Sequence, residues 1–257
     1  MHTSVGRLLD GRTALVTGGG RGIGAAVARA LGRCGAAVAV NYLSNAQAAS
    51  DVVRDIELER SKAVAVQGDV RDPDSAAEMV RQATELLGGI DILVCNVVGG
   101  DAVFRGAALD SGFEIQTRTD AQLRATLNVC RLVAPAMRRR HRGSIVLVGF
   151  SESRGSSPEL ADIAIAKAAQ EALMRVLAAE LGPDGVRVNT VAPGLVPTDG
   201  SGPSGIPPYV ATLETITPLR RIAQAEDVAD AVLALSSDLT RHITGACLPV
   251  DGGRIMH

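Results

Sequence analysis

Seven short apolar runs leave this chain few folds to choose from. They read as strands at residues 13–17, 37–41, 62–67, 90–95, 144–149, 186–191 and 246–250, with helical stretches between them. Thr13-Ala14-Leu15-Val16-Thr17 and Ala37-Val38-Ala39-Val40-Asn41 are nearly continuous in apolar character. Runs of that kind suit strands buried on both faces, as in a parallel sheet. Strand–helix alternation predicts an α/β fold: one doubly wound, mainly parallel sheet of about seven strands with right-handed crossovers. A chain of 257 residues fits a single domain spanning 1–257. Aromatic residues are only 2% of the chain, so Ala, Val, Leu and Ile must build the core.

Composition removes several function classes. Net charge is −2 with interspersed signs, which argues against a nucleic-acid footprint. The basic cluster Arg138-Arg139-Arg140-His141-Arg142 reads as a solvated helix end favoured by the helix dipole. Cys34, Cys95, Cys130 and Cys247 have no paired spacing, so neither a metal site nor a disulfide framework is expected. No apolar run approaches the roughly 18–20 residues that span a bilayer. The N-terminus lacks the apolar stretch of a signal peptide, and a cytoplasmic location follows as the expectation.

Thr17-Gly18-Gly19-Gly20-Arg21-Gly22-Ile23-Gly24 directly follows the first strand and opens a helix. Glycines permit a tight turn and close backbone approach to a pyrophosphate, which the helix N-terminus then attracts. A carboxylate at the end of the second strand would select NAD(H) through the ribose 2′-OH. That strand instead ends Asn41-Tyr42-Leu43-Ser44-Asn45. Arg21 is placed to meet a 2′-phosphate, with Ser44 and Asn45 adding hydrogen bonds, so the reading favours NADP(H) over NAD(H). The segment Pro197 to Pro208, rich in Gly, Pro and Ser, follows a strand end and reads as part of a substrate lid over 197–217.

The turn has the spacing TGxxxGxG, and with its context it resembles the classical short-chain dehydrogenase/reductase family, near its 3-oxoacyl-carrier-protein reductase branch. The resemblance covers nearly the whole chain and implies a Rossmann domain holding a nicotinamide dinucleotide. Carried over by motif, the cofactor contacts are Gly18, Arg21, Gly22, Ile23, Gly24, Asn41, Ser44, Asp69, Val70, Asn96, Lys167, Pro193, Gly194 and Thr198. Asp69-Val70 stands where the family contacts adenine, and Thr198 follows Pro193-Gly194 at the carboxamide-contact spacing. Arg187-Val188-Asn189, Pro218-Leu219-Arg220-Arg221 and Pro249-Val250-Asp251-Gly252-Gly253 also match. The family's assembly implies a homo- or hetero-tetramer through helices within 105–138 and 158–181.

Three of the family's four catalytic positions differ. Gln122 stands for the helix Asn, Phe150 for the Ser and Ile163 for the Tyr; Lys167 alone remains. After the fourth strand the motif reads Cys95-Asn96-Val97-Val98, keeping one Asn. Removing a preorganised oxyanion donor typically costs about 10²–10³ in rate. Tyr-dependent carbonyl reduction is therefore not expected. Ser151, beside the altered Ser position, is the nearest substitute, and with Lys167 it forms the candidate catalytic pair. Asp162 lies about 100° around the helix from position 163 and faces elsewhere. The favoured expectation is a catalytically degenerate partner subunit of an active reductase. The alternatives are an enzyme that reduces, cyclises or isomerises a hydrophobic, natural-product-like substrate, and an NADP(H)-responsive regulator.

Overall fold

The computed structural model describes residues 7–97, 108–110, 112–155, 160–197 and 210–256. Seven strands alternate with helices: β1 (Thr13–Val16), α1 (Gly22–Arg33), β2 (Ala37–Tyr42), α2 (Ala46–Leu58), β3 (Ala63–Gln67), α3 (Pro73–Leu87) and β4 (Ile92–Cys95). Then come α4 (Gly112–Arg139), β5 (Gly143–Val148), α5 (Ala161–Leu181), β6 (Val186–Pro193), α6 (Val210–Ile216), α7 (Ala225–Ser236) and β7 (Cys247–Val250). The strands form one sheet in the order β3-β2-β1-β4-β5-β6-β7. Every pairing is parallel. Each expected strand is present with its ends shifted by no more than two residues. β6 runs on to Pro193 because β7 pairs Ala192 with Pro249 and Pro193 with Val250.

Two apolar layers sandwich the sheet. On one face, Val27 and Leu31 of α1 and Val52 and Ile56 of α2 pack over β1 and β2, and Val228 and Val232 of α7 over β5 and β6. On the other, Met79 of α3, Val129 and Met137 of α4, and Met174 of α5 pack on Leu15, Leu93, Ile145 and Leu147. The consecutive residues Ala14, Leu15 and Val16 thus feed alternate layers, which is why the strands read as unbroken apolar runs. Helix ends are set by local chemistry. Asp72 accepts the Ser75 N–H at 2.7 Å, Pro73 starts α3, and the left-handed Gly88 ends it. Among the described residues, no helix is long and apolar enough to cross a membrane.

The chain enters the sheet at β1 and returns to it at β4, so the strand order reverses between these two neighbours. Open α/β sheets bind ligands in the crevice beyond the strands' carboxyl ends at such a point. The basic cluster at the end of α4 is more engaged than a solvated helix end. Arg138 meets Asp184 at 2.5 Å and Arg142 meets Asp91 at 3.0 Å.

Candidate functional site

At the reversal point the glycine turn is held by three side chains. Thr17 donates its hydroxyl to the Val94 carbonyl at 3.2 Å and accepts the Asn96 N–H at 3.0 Å, tying β1 to β4. The Asn96 amide donates to the Gly18 carbonyl at 3.2 Å. Gly18 adopts φ +60°, a left-handed backbone that disfavours a side chain. A Cβ on Gly24 would lie 2.1 Å from the Gly18 carbonyl oxygen, so only glycine lets the turn fold back on α1.

The start of α1 has no acid in its first turn and no side-chain cap, because Arg21 makes no capping bond. Its first N–H groups therefore lack a side-chain acceptor and form the positive end of the helix dipole, which suits a phosphate. Arg21 is exposed, and no hydrogen bond or ion pair ties it down among the described residues. This cradle fits the pyrophosphate of a dinucleotide.

The residues read as further cofactor contacts occupy distinct places. Asn41 is 1% exposed; its carbonyl accepts the Gly18 N–H at 3.1 Å and its amide donates to the Gly68 carbonyl at 3.0 Å. It shapes the turn from beneath. Ser44 is exposed, and Asn45 caps α2 by accepting the Ala48 N–H at 3.0 Å. Asp69 is gripped by Arg71 at 2.8 and 2.9 Å, and those hydrogen bonds hold its carboxyl below the usual range. Val70 is buried, and its carbonyl accepts from Asn128 of α4 at 3.0 Å. Pro193 is buried at the end of β6, and the Gly194 N–H donates to the Val250 carbonyl at 3.1 Å. Thr198, Val98 and residues 198–209 of the expected lid lie outside the described residues.

Lys167 projects from α5 and is 3% exposed. Its Nζ donates to the Val148 carbonyl at 2.7 Å. Burial pushes this amine down to about 7; nearby Cys95 opposes that shift and the Arg118 charge adds to it. Phe150 and Ile163 are half-buried. Ser151 is 2% exposed, and its hydroxyl has no hydrogen-bond partner among the described residues. That oxygen sits 3.8 Å from where a Cβ on Gly194 would be, between β5 and β6. Gln122 is buried and donates to the Val97 carbonyl at 3.1 Å.

Sequence reasoning missed one buried pair. Asp162 does turn away from Ile163's direction, and it meets α4. Arg118 Nε donates to Asp162 Oδ2 at 2.7 Å with side chains only 8% and 2% exposed. The other carboxylate oxygen accepts the Ile163 N–H at 2.8 Å. Nothing in the local pattern signals this, because the partners lie 44 residues apart on different helices.

A phosphate-ready glycine turn at the reversal of a parallel sheet is the form of a dinucleotide-binding domain. Residues 18–254 match the family model described as enoyl-(acyl carrier protein) reductase. The chain belongs to the short-chain dehydrogenase/reductase family. It is 36% identical over 250 residues to an L-rhamnose 1-dehydrogenase (NAD(P)(+)) of Sphingomonas sp. strain SKA58, covering 96% of this chain and 97% of that protein. A crystallised 7α-hydroxysteroid dehydrogenase, in complex with NADH and 7-oxo glycochenodeoxycholic acid, superposes with a TM-score of 0.88 at 32% identity. That match covers 100% of this chain and 99% of the other. A short-chain dehydrogenase of Burkholderia cenocepacia J2315 in complex with NADP superposes with a TM-score of 0.83 at 34% identity, covering 96% and 98%.

These relatives correct the functional expectation. Proteins matched over nearly the whole chain are named as dehydrogenases, and this overturns the reading of a catalytically degenerate partner subunit. A missing phenol removes one proton donor from the motif and leaves the Lys167 amine, which burial pushes down to about 7.

Proposed function

We propose that this protein is a nicotinamide-dependent oxidoreductase that takes NADP(H), interconverts a carbonyl and an alcohol on an apolar substrate, and moves the proton through Lys167. The observation that carries this reading is the buried Lys167 amine, lowered to about 7 and anchored on Val148. When bound, the nicotinamide supplies or accepts the hydride. The α1 N-terminus, Gly18 and Gly24 would hold the pyrophosphate, and Asn41 and Asn96 keep the turn in shape. In the reductive direction the Lys167 ammonium donates its proton to the oxygen where negative charge develops, and a neutral amine remains. In the oxidative direction the neutral amine takes that proton back. Ser151, with an unpaired hydroxyl beside Gly194, contributes a hydrogen bond to the same oxygen. Phe150 and Ile163 give the wall its preference for apolar substrates.

A pH profile tests the reading. With NADPH and a panel of apolar cyclic ketones, kcat for reduction is expected to hold steady below about pH 7 and then fall roughly tenfold per unit. Oxidation of the matching alcohol should rise through the same range. Lys167→Arg, which stays protonated, should erase the inflection. No NADPH oxidation anywhere on the panel, or a flat profile from pH 6 to 9, would sink the proposal.

The choice of NADP(H) rests on the exposed, unengaged Arg21 and on the absence of an acid at the end of β2. Arg21→Gln should weaken NADPH binding by about tenfold or more, the worth of a hydrogen bond to a charged group, and leave NADH binding nearly unchanged. Fluorescence titration with both cofactors reads the difference; an equal loss for both would assign Arg21 no role at the 2′-phosphate. As the assembly we propose a homotetramer through α4 and α5, whose outward faces carry the exposed Leu132, Ile165 and Val176.

A further inference from the structure

The sheet has a second recess, at the end opposite the glycine turn. A cavity of about 450 Å³ opens among the amino-terminal ends of β1, β4, β5 and β6 and the end of α7. That volume is in the range of small-molecule sites. Four guanidinium groups line it, those of Arg12, Arg142, Arg187 and Arg241, against the two carboxylates of Asp91 and Asp238. Both carboxylates are already engaged. Arg12 Nη2 meets Asp238 at 2.9 Å, and Arg142 Nη2 meets Asp91 at 3.0 Å. Asp91 also accepts the Thr13 N–H at 3.1 Å.

Two cations are left over. Arg187 donates to the Ser237 carbonyl at 3.1 Å, the Thr240 hydroxyl at 3.3 Å and the Ile243 carbonyl at 3.4 Å, with no carboxylate among these acceptors. Burial lowers its affinity for its proton; Asp238 offsets this in part and Arg12 adds to it. Such a cation is poorly compensated. Arg241 stands exposed at the rim, and no hydrogen bond or ion pair from its side chain is found among the described residues. An independent feature of the same wall is Ser236, which is 6% exposed with a hydroxyl that has no hydrogen-bond partner among the described residues. A buried hydroxyl left unpaired is destabilising unless something completes it.

We propose that this recess binds a compact dianion, the phosphate group of a small molecule or free phosphate itself, with Arg187 and Arg241 as charged donors and Ser236 as the neutral one. The site is separate from the cofactor crevice: its residues come from the opposite ends of the strands, and none of them takes part in the chemistry proposed above. Arginine suits the ligand because its planar fork matches phosphate oxygens. His242 also lines the recess.

Isothermal titration of the full chain with inorganic phosphate, against chloride at matched ionic strength, tests this. Glycerol 3-phosphate forms a second arm. Tighter binding of the ester assigns the site to a phosphorylated small molecule, and equal or tighter binding of inorganic phosphate assigns it to the free ion; either supports the proposal. Arg241→Gln, at an exposed position where folding is not at stake, should weaken binding about tenfold or more. Ser236→Ala should weaken it less. Arg21→Gln should leave it unchanged, which separates this site from the cofactor cradle. Phosphate heats no larger than those of chloride, wild-type affinity in both Arg241→Gln and Ser236→Ala, or loss of binding in Arg21→Gln would each overturn it.

Discussion

Replacing Asp162 with Asn is expected to destabilise the protein by about 3 kcal/mol and to shift the pH dependence of turnover downward. The first effect follows from burial. Arg118 and Asp162 are 8% and 2% exposed and meet at 2.7 Å, so the variant leaves a guanidinium in a poorly hydrated site without its carboxylate. Removing one member of such a pair is far more damaging than removing a surface charge. The second effect distinguishes a positioning role from a merely structural one. Arg118 already lowers the Lys167 amine's affinity for its proton. With Asp162 neutralised, one negative charge offsetting Arg118 near Lys167 is lost, so the inflection in kcat should fall below 7. Urea denaturation reads the first effect and the pH profile the second. A double replacement, Arg118→Met with Asp162→Leu, should recover much of the stability, because a well-packed apolar pair often replaces a buried ion pair without loss. A stability loss with an unmoved inflection would confine the pair to holding α4 against α5.

The difference between what the chain's letters disclosed and what they hid has a physical basis. The strands were legible because each is covered on both faces, so Ala14, Leu15 and Val16 are apolar in succession. The glycine turn was legible because backbone geometry there excludes side chains, as the 2.1 Å approach at Gly24 shows. Asn41 was legible as a residue of the site, but its bonds to Gly18 and Gly68 run inward under the turn. The environment of Lys167 was hidden for a different reason. A motif records which side chain is missing at position 163, whereas proton transfer depends on how the remaining groups are solvated. The burial of Lys167 and its nearness to Arg118 arise from α4 packing on α5 across 44 residues of sequence. No local pattern encodes that.

Lys167→Met should abolish proton transfer and yet make the protein more stable at pH 6. In the folded chain the amine titrates near 7, against an ordinary value of 10.5. Holding it protonated inside the protein therefore carries a penalty on the order of 5 kcal/mol at most. The sign follows from proton counts. Below about pH 7 both folded and unfolded chains hold the proton, and the penalty is present in full. Between about 7 and 10.5 the unfolded chain holds one more proton at this position than the folded chain, so wild-type stability rises with pH relative to the variant. Methionine carries no such penalty but leaves the Val148 carbonyl without its 2.7 Å donor, a loss of about 1–3 kcal/mol. The variant should thus exceed wild type by about 2 kcal/mol at pH 6 and fall below it by about 1 kcal/mol or more near pH 10.5. Groups that do not interact with Lys167 titrate alike in both proteins and cancel from the difference, whereas Cys95, which feels the Lys167 charge, shifts with it. Paired urea titrations across that range measure the crossover. A pH-independent difference would mean that Lys167 keeps its ordinary proton affinity in the fold, and the proton-transfer role assigned to it would fail with it.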